Sequence, residues 1–93
     1  MTVQLDGKRM ASRAALHDHL AQQLQLPDYY GRNLDALYDL LTEQAEHTII
    51  ELLNQDVMLA SLGSYGEILI ETLEQAMDEN PNLTFLVKNE EGR

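Results

Sequence analysis

Three short strand-like segments of this chain are separated by longer segments with helical periodicity, and this order most constrains the fold. In "TVQLD" at 2–6, Val3 and Leu5 alternate with polar residues before the Asp6-Gly7 turn signal, whereas "TIIELLN" at 48–54 and "LTFLVK" at 83–88 are mostly apolar. Strands whose connections contain helices favour a parallel sheet with right-handed crossovers. The sequence therefore predicts an α/β fold, a single small domain over residues 1–93 with a three-stranded parallel sheet flanked by helices.

The nearly continuous apolar run of the middle segment predicts a buried central strand. A first helix is predicted to begin after Ser12 and to end near Gln25, because a proline follows two positions later. The last main helix is predicted from Gly66 to the break at "ENPN". Residues 55–63 are ambiguous, with at most a short helical turn, and residues 89–93 are predicted to be an irregular end.

The composition argues against several classes of protein. A net charge of −10, from 16 acidic and 6 basic residues, opposes direct binding of nucleic acid, which depends on Lys and Arg. The same charge favours a basic partner, or only solubility. The chain has no apolar run of about 20 residues to span a membrane and no secretory signal at its start. It also lacks cysteine, so disulfides and thiolate chemistry are excluded, and a cytoplasmic location is expected.

No group of residues typical of catalysis or metal binding is present. His17 and His19 are two positions apart on a predicted helix and do not share a face, so solvated or half-buried histidines are favoured over metal ligands. "GSYG" at 63–66 lacks the glycine pattern and the lysine of a phosphate-binding loop, which favours a simple helix-entry turn. We therefore predict no enzymatic activity, no cofactor and no metal, although the many carboxylates leave an acid–base pair open.

The second helix, predicted over 34–43, carries acids beside its apolar stripe. Asn33 is the predicted N-cap, and Gly31 supplies the freedom of the preceding turn. One face combines acidic, aromatic and hydroxyl side chains at i, i+3, i+4 and i+7: Asp35, Tyr38, Asp39 and Thr42. Like charges four residues apart weaken a helix by ~0.2–0.5 kcal/mol. This face is therefore either a functional surface or an ordinary solvated one.

A second set of acids lies on the last helix and is predicted to be a solvated face without a role: Glu67, Glu71, Glu74, Asp78 and Glu79.

The segment "LPDYYGRNLDALYDLLT" at 26–42 resembles the signature segment of the barstar-like family of ribonuclease inhibitors. The similarity extends over nearly the whole chain, through "LHDHLAQQLQLP" and the closing "LTFLV". The resemblance implies the same fold that the pattern predicts. It also implies an intracellular immunity protein that forms a 1:1 complex with a basic, extracellular-type microbial ribonuclease of the barnase type.

In this family the second helix and the preceding loop cover the active site of the ribonuclease, and carboxylates mimic RNA phosphates. The resemblance implies one set of partner-binding residues in this chain: Tyr29, Tyr30, Gly31, Asn33, Leu34, Asp35, Tyr38, Asp39, Thr42, Gln44, Glu46 and Gln75. Asp39 is implied to be the central phosphate mimic, and Asp35 to meet a further basic or backbone donor. Tyr29 is implied to pack against the catalytic histidine of the enzyme.

Four positions depart from the family pattern. Tyr38 and Gln44 stand where the pattern has tryptophan, and Glu43 stands where it has glycine. Gln75 stands where the pattern has a glutamate, and the adjacent Glu74 is a possible substitute. The identity of the ribonuclease is therefore open. The alternative function is a barstar-like acidic adaptor that binds a basic protein other than a ribonuclease.

Overall fold

The computed structural model describes residues 1–88, which form one three-stranded parallel sheet in the order β1–β2–β3. The strands are β1 (Thr2–Asp6), β2 (Thr48–Leu53) and β3 (Leu83–Lys88). In the register, Val3 lies opposite Ile50, and Ile50 lies opposite Phe85. The predicted α/β fold with a three-stranded parallel sheet is confirmed. The predicted irregular end at 89–93 lies outside the described residues.

Within the described residues, four α-helices and one short 3-10 helix accompany the strands. They are the 3-10 helix (Gly7–Arg9), α1 (Arg13–Leu24), α2 (Leu34–Thr42), α3 (Gln55–Leu62) and α4 (Ser64–Glu79). α1 packs on β1, α4 packs on β3, and α2 packs on α4. The predicted end of α1 is confirmed, because Gln25 adopts a left-handed conformation and closes the helix. α4 therefore holds α2 in place.

The segment that was ambiguous in the sequence, residues 55–63, forms the helix α3. α3 ends at Gly63, whose φ of 57° suits glycine. Met58 is its buried residue, and a Cβ atom on Gly66 would come within 2.5 Å of the Met58 sulfur. The next helix, α4, begins at Ser64, two residues earlier than predicted. Only one side chain of α3 is fully buried, so this helix needs few apolar residues, and its sequence therefore shows only a weak apolar pattern.

Among residues 1–88, helices cover one face of the sheet and leave the other face exposed. In β2, Ile50 and Leu52 are fully buried, whereas the intervening Ile49 is 40% exposed. The prediction that β2 is the central strand is therefore confirmed, whereas the prediction that the whole strand is buried is wrong, because only alternate residues of β2 are buried. The core lies between the covered face and the helices and includes Val3, Leu5, Leu16, Leu20, Leu37, Leu41, Ile50, Leu52, Leu69, Leu73 and Phe85.

His17 is buried on α1 and connects two parts of the chain, so the expectation of a solvated or half-buried ring was wrong. Its Nδ1 lies 2.6 Å from the Tyr30 hydroxyl, and its Nε2 lies 2.8 Å from the Tyr65 hydroxyl. A neutral imidazole donates through one nitrogen and accepts through the other, and a tyrosine hydroxyl can match either role. Burial raises the pKa of Tyr30, so this hydroxyl stays protonated. The histidine thereby ties the loop before α2 to α1 and α4.

His19 is also buried, again contrary to the expectation. Its Nε2 accepts a hydrogen bond from the backbone N–H of Asp6 at 2.9 Å. A ring nitrogen can accept only while it carries no proton. The contact between β1 and α1 at this point therefore requires a neutral His19.

The tie between His17 and Tyr30 gives a first prediction. Tyr30→Phe leaves Nδ1 of His17 without its partner in a buried site, which should lower the free energy of unfolding by about 1–3 kcal/mol. Tyr29→Phe is the matched control, because Tyr29 is 80% exposed whereas Tyr30 is 7% exposed. The control should change stability by less than about 0.5 kcal/mol. Urea denaturation measures both, and equal midpoints for the two variants would contradict the role of this hydrogen bond.

The two buried histidines give a second prediction. Burial, and next the nearby Arg32, lower the pKa of His17; burial, and next Arg9, lower that of His19. As the pH falls below the ordinary value of about 6.5, the unfolded chain takes up protons that the folded chain does not. The free energy of unfolding should therefore decrease from pH 6.5 downwards until the lowered pKa values are reached. Urea midpoints measured between pH 8 and pH 5 test this, and a constant midpoint would contradict it.

Candidate functional site

The loop before α2 is fixed to α1 at two points. The Tyr30 hydroxyl is bonded to His17, and the Arg32 guanidinium forms an ion pair with Asp18. The left-handed residue of this loop is Arg32, with φ of 58°, rather than the predicted Gly31. Arg32 thus provides both the ion pair with α1 and the left-handed backbone conformation of the loop.

Gly31 has a different use from the predicted one. A Cβ atom at this position would come within 3.3 Å of the Ala36 Cβ, so glycine lets the loop lie close against the first turn of α2. Asn33 caps the helix as predicted, because its Oδ1 accepts from the Ala36 N–H at 2.7 Å. Its Nδ2 donates to the Gly31 carbonyl at 3.2 Å. Hydrogen bonds and close packing therefore join the loop to the first turn of α2.

The predicted acidic stripe lies on the outer side of α2. Asp35 and Asp39 are exposed, and Tyr38 is half-buried, while Leu37 and Leu41 on the opposite side are buried in the core. The half-buried Thr42 donates its hydroxyl to the main-chain carbonyl of Asp39, and Leu34 packs half-buried against the core. Burial of the leucines therefore fixes the direction in which the carboxylates face.

The turn after α2 is held by Asn80, the residue that follows α4. Nδ2 of the buried Asn80 donates to the carbonyls of Leu41 and Gln44, both at 2.9 Å. The side chain of Gln44, a predicted site residue, donates to the Thr48 hydroxyl at 3.0 Å, so it makes a hydrogen bond within this protein. Glu46, another predicted site residue, is exposed. The sequence marked Asn80 only as part of a helix break and gave no sign of this contact.

A first depression, here called the loop hollow, lies between the loop and α2. It has a volume of about 270 Å³ and is lined by Tyr29, Tyr30, Gly31, Ala36, Asp39, Leu40 and Glu43. Four of the predicted site residues meet here, namely Tyr29, Tyr30, Gly31 and Asp39. The hollow adds Glu43, which was noted only as a departure from the family pattern. Its spacing of four residues from Asp39 on one helix was the signal that could have placed it here.

A second depression, here called the interhelical groove, lies between α2 and α4. It has a volume of about 210 Å³ and is lined by Tyr38, Gln75, Asp78 and Glu79. The predicted site residues Tyr38 and Gln75 are thus neighbours. Asp78 and Glu79 were assigned to a solvated face, but they line this groove, whereas the proposed substitute Glu74 does not. Their spacing of three and four residues from Gln75 was the available signal.

Among residues 1–88, the carboxylates of α2 and α4 form no ion pair with a basic residue. No Lys or Arg occurs between Arg32 and Lys88 in the sequence. Among residues 1–88 the ion pairs join Arg32 to Asp18 and Lys88 to Glu51, and neither pair includes a carboxylate of α2 or α4. Exposed acids of one sign produce a negative potential that attracts a basic surface.

Neither a metal site nor a membrane-spanning helix accompanies this face. In the described part of the chain, no three or more His, Cys, Asp or Glu side chains are placed to hold a metal ion. Likewise, none of the helices up to residue 88 has the length and apolar character needed to cross a membrane.

Comparison with known proteins gives matches over most of the chain. The family model described as Barstar (barnase inhibitor) matches residues 1–90, which include every strand and helix described above. A protein of Bacillus subtilis (strain 168), named "Putative ribonuclease inhibitor YrdF", is 40% identical over 76 residues. That alignment covers 81% of this chain and 84% of the Bacillus protein. The chain therefore belongs to the Barstar family.

Proposed function

We propose that this protein inhibits a basic ribonuclease of the barnase type by covering its active site with the outer face of α2 and the loop before it. Membership of the Barstar family and the printed name of the Bacillus relative support a ribonuclease-inhibitor-like role. The observation that carries this proposal is the exposed acidic face of α2, whose carboxylates belong to neither of the ion pairs within residues 1–88.

The chemistry of the target explains why carboxylates are suited to this role. A ribonuclease must hold the phosphates of RNA with cationic side chains. A carboxylate forms short, charge-assisted hydrogen bonds with the same donors, and these bonds are often bidentate with arginine. Asp39 in the middle of the exposed face is the central phosphate mimic, and Asp35, one turn earlier, meets a second donor. The inhibitor needs no catalytic residue, because it acts by occupying the site in a 1:1 complex.

Rigidity of the face supports tight binding. Ordering of side chains and loops on association costs about 0.5–1.5 kcal/mol for each immobilised flexible side chain. Here the loop is already tied to α1 by Tyr30 and Arg32, and Asn33 already caps α2. Aspartate side chains are also short, so few rotatable bonds become fixed when the partner binds. The free protein thus presents the face in a form close to the bound one.

The other residues that the family resemblance implies for binding differ in exposure and in their hydrogen bonds within this protein. Tyr29 is exposed on the loop. We propose that it packs against the catalytic histidine of the enzyme. Tyr30, Asn33 and Gln44 act mainly by positioning, since each side chain is already bonded within the chain. The complex forms in the cytoplasm of the cell that produces the ribonuclease and protects its RNA.

The proposal is tested by inhibition of a panel of small, guanyl-preferring basic ribonucleases. Hydrolysis of RNA by at least one enzyme should fall to zero at one equivalent of this protein, and excess RNA should compete. Binding to a basic protein that leaves its ribonuclease activity intact, or binding only to proteins without such activity, would instead favour the adaptor.

Asp39→Ala is predicted to separate binding from folding. Removing one member of a desolvated ion pair costs about 3–5 kcal/mol, because the opposite charge remains buried without a partner. This corresponds to a rise in Kd of roughly 100-fold or more. The free domain should be as stable as the parent or slightly more stable, because Asp39 repels the carboxylates four positions away on either side, Asp35 and Glu43.

Surface plasmon resonance and thermal melting measure these two effects. Asp56→Ala is the affinity control, since Asp56 is an exposed acid on α3, which packs on α4 and the 3-10 helix. Its affinity should stay within about twofold of the parent, as for a surface charge outside the interface. An Asp39→Ala protein that binds as tightly as the parent, or that does not fold, would refute the role given to Asp39.

Association with the ribonuclease should slow as salt increases. The attraction between the acidic face and a basic active site acts before contact, and it is screened beyond about 8 Å at physiological ionic strength. Stopped-flow association rates between 20 mM and 500 mM salt test this. Dissociation rates should change much less over the same range. An association rate that is independent of salt would contradict electrostatic docking.

A further inference from the structure

We infer that Tyr65 positions the loop before α2 for binding, because its hydroxyl holds His17 in the tautomer that carries the proton on Nε2. In this tautomer, Nδ1 of His17 is left to accept a hydrogen bond from the buried Tyr30 hydroxyl of the loop. The positioning role rests on the proposed function, since it takes the loop as part of the interface with a ribonuclease. The tautomer of His17 does not depend on that function.

Burial of Tyr30 sets the direction of the first hydrogen bond. The residue is 7% exposed, and among residues 1–88 its hydroxyl bonds only to Nδ1 of His17, at 2.6 Å. A buried donor that finds no acceptor loses its hydration without compensation. The Tyr30 proton is therefore directed at Nδ1, which must then carry a lone pair and no proton.

The second hydrogen bond follows from the first. Burial lowers the pKa of His17, and a neutral imidazole whose Nδ1 accepts carries its proton on Nε2. This nitrogen lies 2.8 Å from the Tyr65 hydroxyl, so its N–H donates to the Tyr65 oxygen. Tyr65 is half-buried, so its own proton can be donated to water. The reverse order of donors would instead leave a spare proton on the buried Tyr30.

The Tyr65 ring is itself held in place at the first turn of α4. The guanidinium carbon of Arg13, the first residue of α1, lies 4.1 Å from the centre of this ring, which is a favourable cation–π distance. The rings of His17 and Tyr65 meet nearly edge to face, at 74° and with 6.1 Å between their centroids. The hydroxyl is therefore presented to His17 by a ring that keeps its contacts when the oxygen is removed.

Loss of the Tyr65 hydroxyl is expected to reach the loop through His17. The Nε2–H group would then lack its acceptor at a part-buried position, and the ring could regain a partner only by changing tautomer or by turning. Either change weakens the bond to Tyr30, whose backbone N–H donates to the Pro27 carbonyl at 3.0 Å and closes the turn. The exposed Tyr29 lies in the same turn. Tyr65 lines neither the loop hollow nor the interhelical groove, so it acts on binding by position and not by contact.

The tautomer is tested first on the free protein, without any substitution. Long-range proton–nitrogen correlation spectra of the imidazole rings at pH 8 distinguish a protonated Nε2 from a protonated Nδ1. We expect the Nε2–H form for His17. His19 is the internal control, because its Nε2 accepts from the Asp6 N–H and its proton must therefore lie on Nδ1. An Nδ1–H form of His17, or a mixture of the two forms, would overturn the inference.

The positioning role is tested with Tyr65→Phe and a matched control on the same helix, Thr72→Val. Thr72 is buried and its hydroxyl donates to the Ile68 carbonyl at 2.7 Å, so the control removes a hydroxyl from α4 without removing a partner of His17. Both variants should melt at a lower temperature than the parent. Only Tyr65→Phe should change the imidazole nitrogen shifts of His17 and speed amide exchange at Tyr30.

Binding is measured with the ribonuclease of the panel that this protein inhibits. We expect Tyr65→Phe to raise Kd about three- to tenfold, the size expected when one loop side chain must be ordered on association. Thr72→Val should change Kd less than about twofold, as for a change outside the interface. In a Tyr30→Phe background, Tyr65→Phe should also change Kd less than about twofold, because effects that pass through one shared partner are not additive.

Failure of the positioning role and failure of the proposed function are distinguishable. The positioning role is overturned if Tyr65→Phe binds like the parent, if Thr72→Val weakens binding equally, or if Tyr65→Phe keeps its full effect in the Tyr30→Phe background. A Tyr65→Phe protein that does not fold also overturns it, because the hydroxyl then serves the fold as a whole. In each case the proposed function stands as long as Asp39→Ala binds weakly. If no enzyme of the panel is inhibited, the proposed function fails, and the spectra and amide exchange of the free protein still decide whether Tyr65 fixes His17 and orders the loop.

Discussion

Burial of Leu37 and Leu41 is the interaction on which the acidic face depends. α2 has only nine residues, and isolated helices shorter than about 12–15 residues are marginal in water. Each buried leucine contributes about 1.5–3 kcal/mol, whereas each pair of like charges at a spacing of four residues costs about 0.2–0.5 kcal/mol. Packing therefore exceeds the repulsion severalfold, which is why this helix can carry two aspartates on one side without losing its structure.

Buried polar contacts then give the face its fixed shape. His17 bonds to two tyrosine hydroxyls, one on the loop before α2 and one on α4, and Asn80 bonds to two carbonyls at the end of α2. A buried polar group that loses its partner costs more than the bond itself contributes, so such contacts select one arrangement of loop and helix. The stability of the protein and the shape of the candidate site thus depend on the same few side chains.

The sequence predicted those features that depend on neighbours along the chain. The strands, the limits of α1 and α2, the Asn33 cap and the acidic stripe all follow from local spacing. Features that join distant residues were missed. Tyr65 is 48 residues from His17 and Asn80 is 39 residues from Leu41, so no periodicity relates them. The pairing of Tyr38 with Asp78 and Glu79 likewise appears only when α2 packs on α4. Of the candidate site, local spacing predicted the stripe, and the resemblance implied Tyr29, Tyr30, Gly31 and Gln75. The further lining residues Glu43, Asp78 and Glu79 were not predicted as part of it.

The departures from the family pattern move negative charge to other positions, and they change the total charge of the face less. Gln75 lacks a carboxylate that the pattern has, but Asp78 and Glu79 line the same groove. Glu43 adds a carboxylate to the loop hollow, where the pattern has a glycine. Attraction at a distance depends on total charge and is similar for any basic partner, whereas discrimination depends on whether each buried charge meets its counterpart. The proposed function therefore favours a ribonuclease with cations opposite the groove and the hollow over one that matches the unmodified pattern, even if the two enzymes are equally basic.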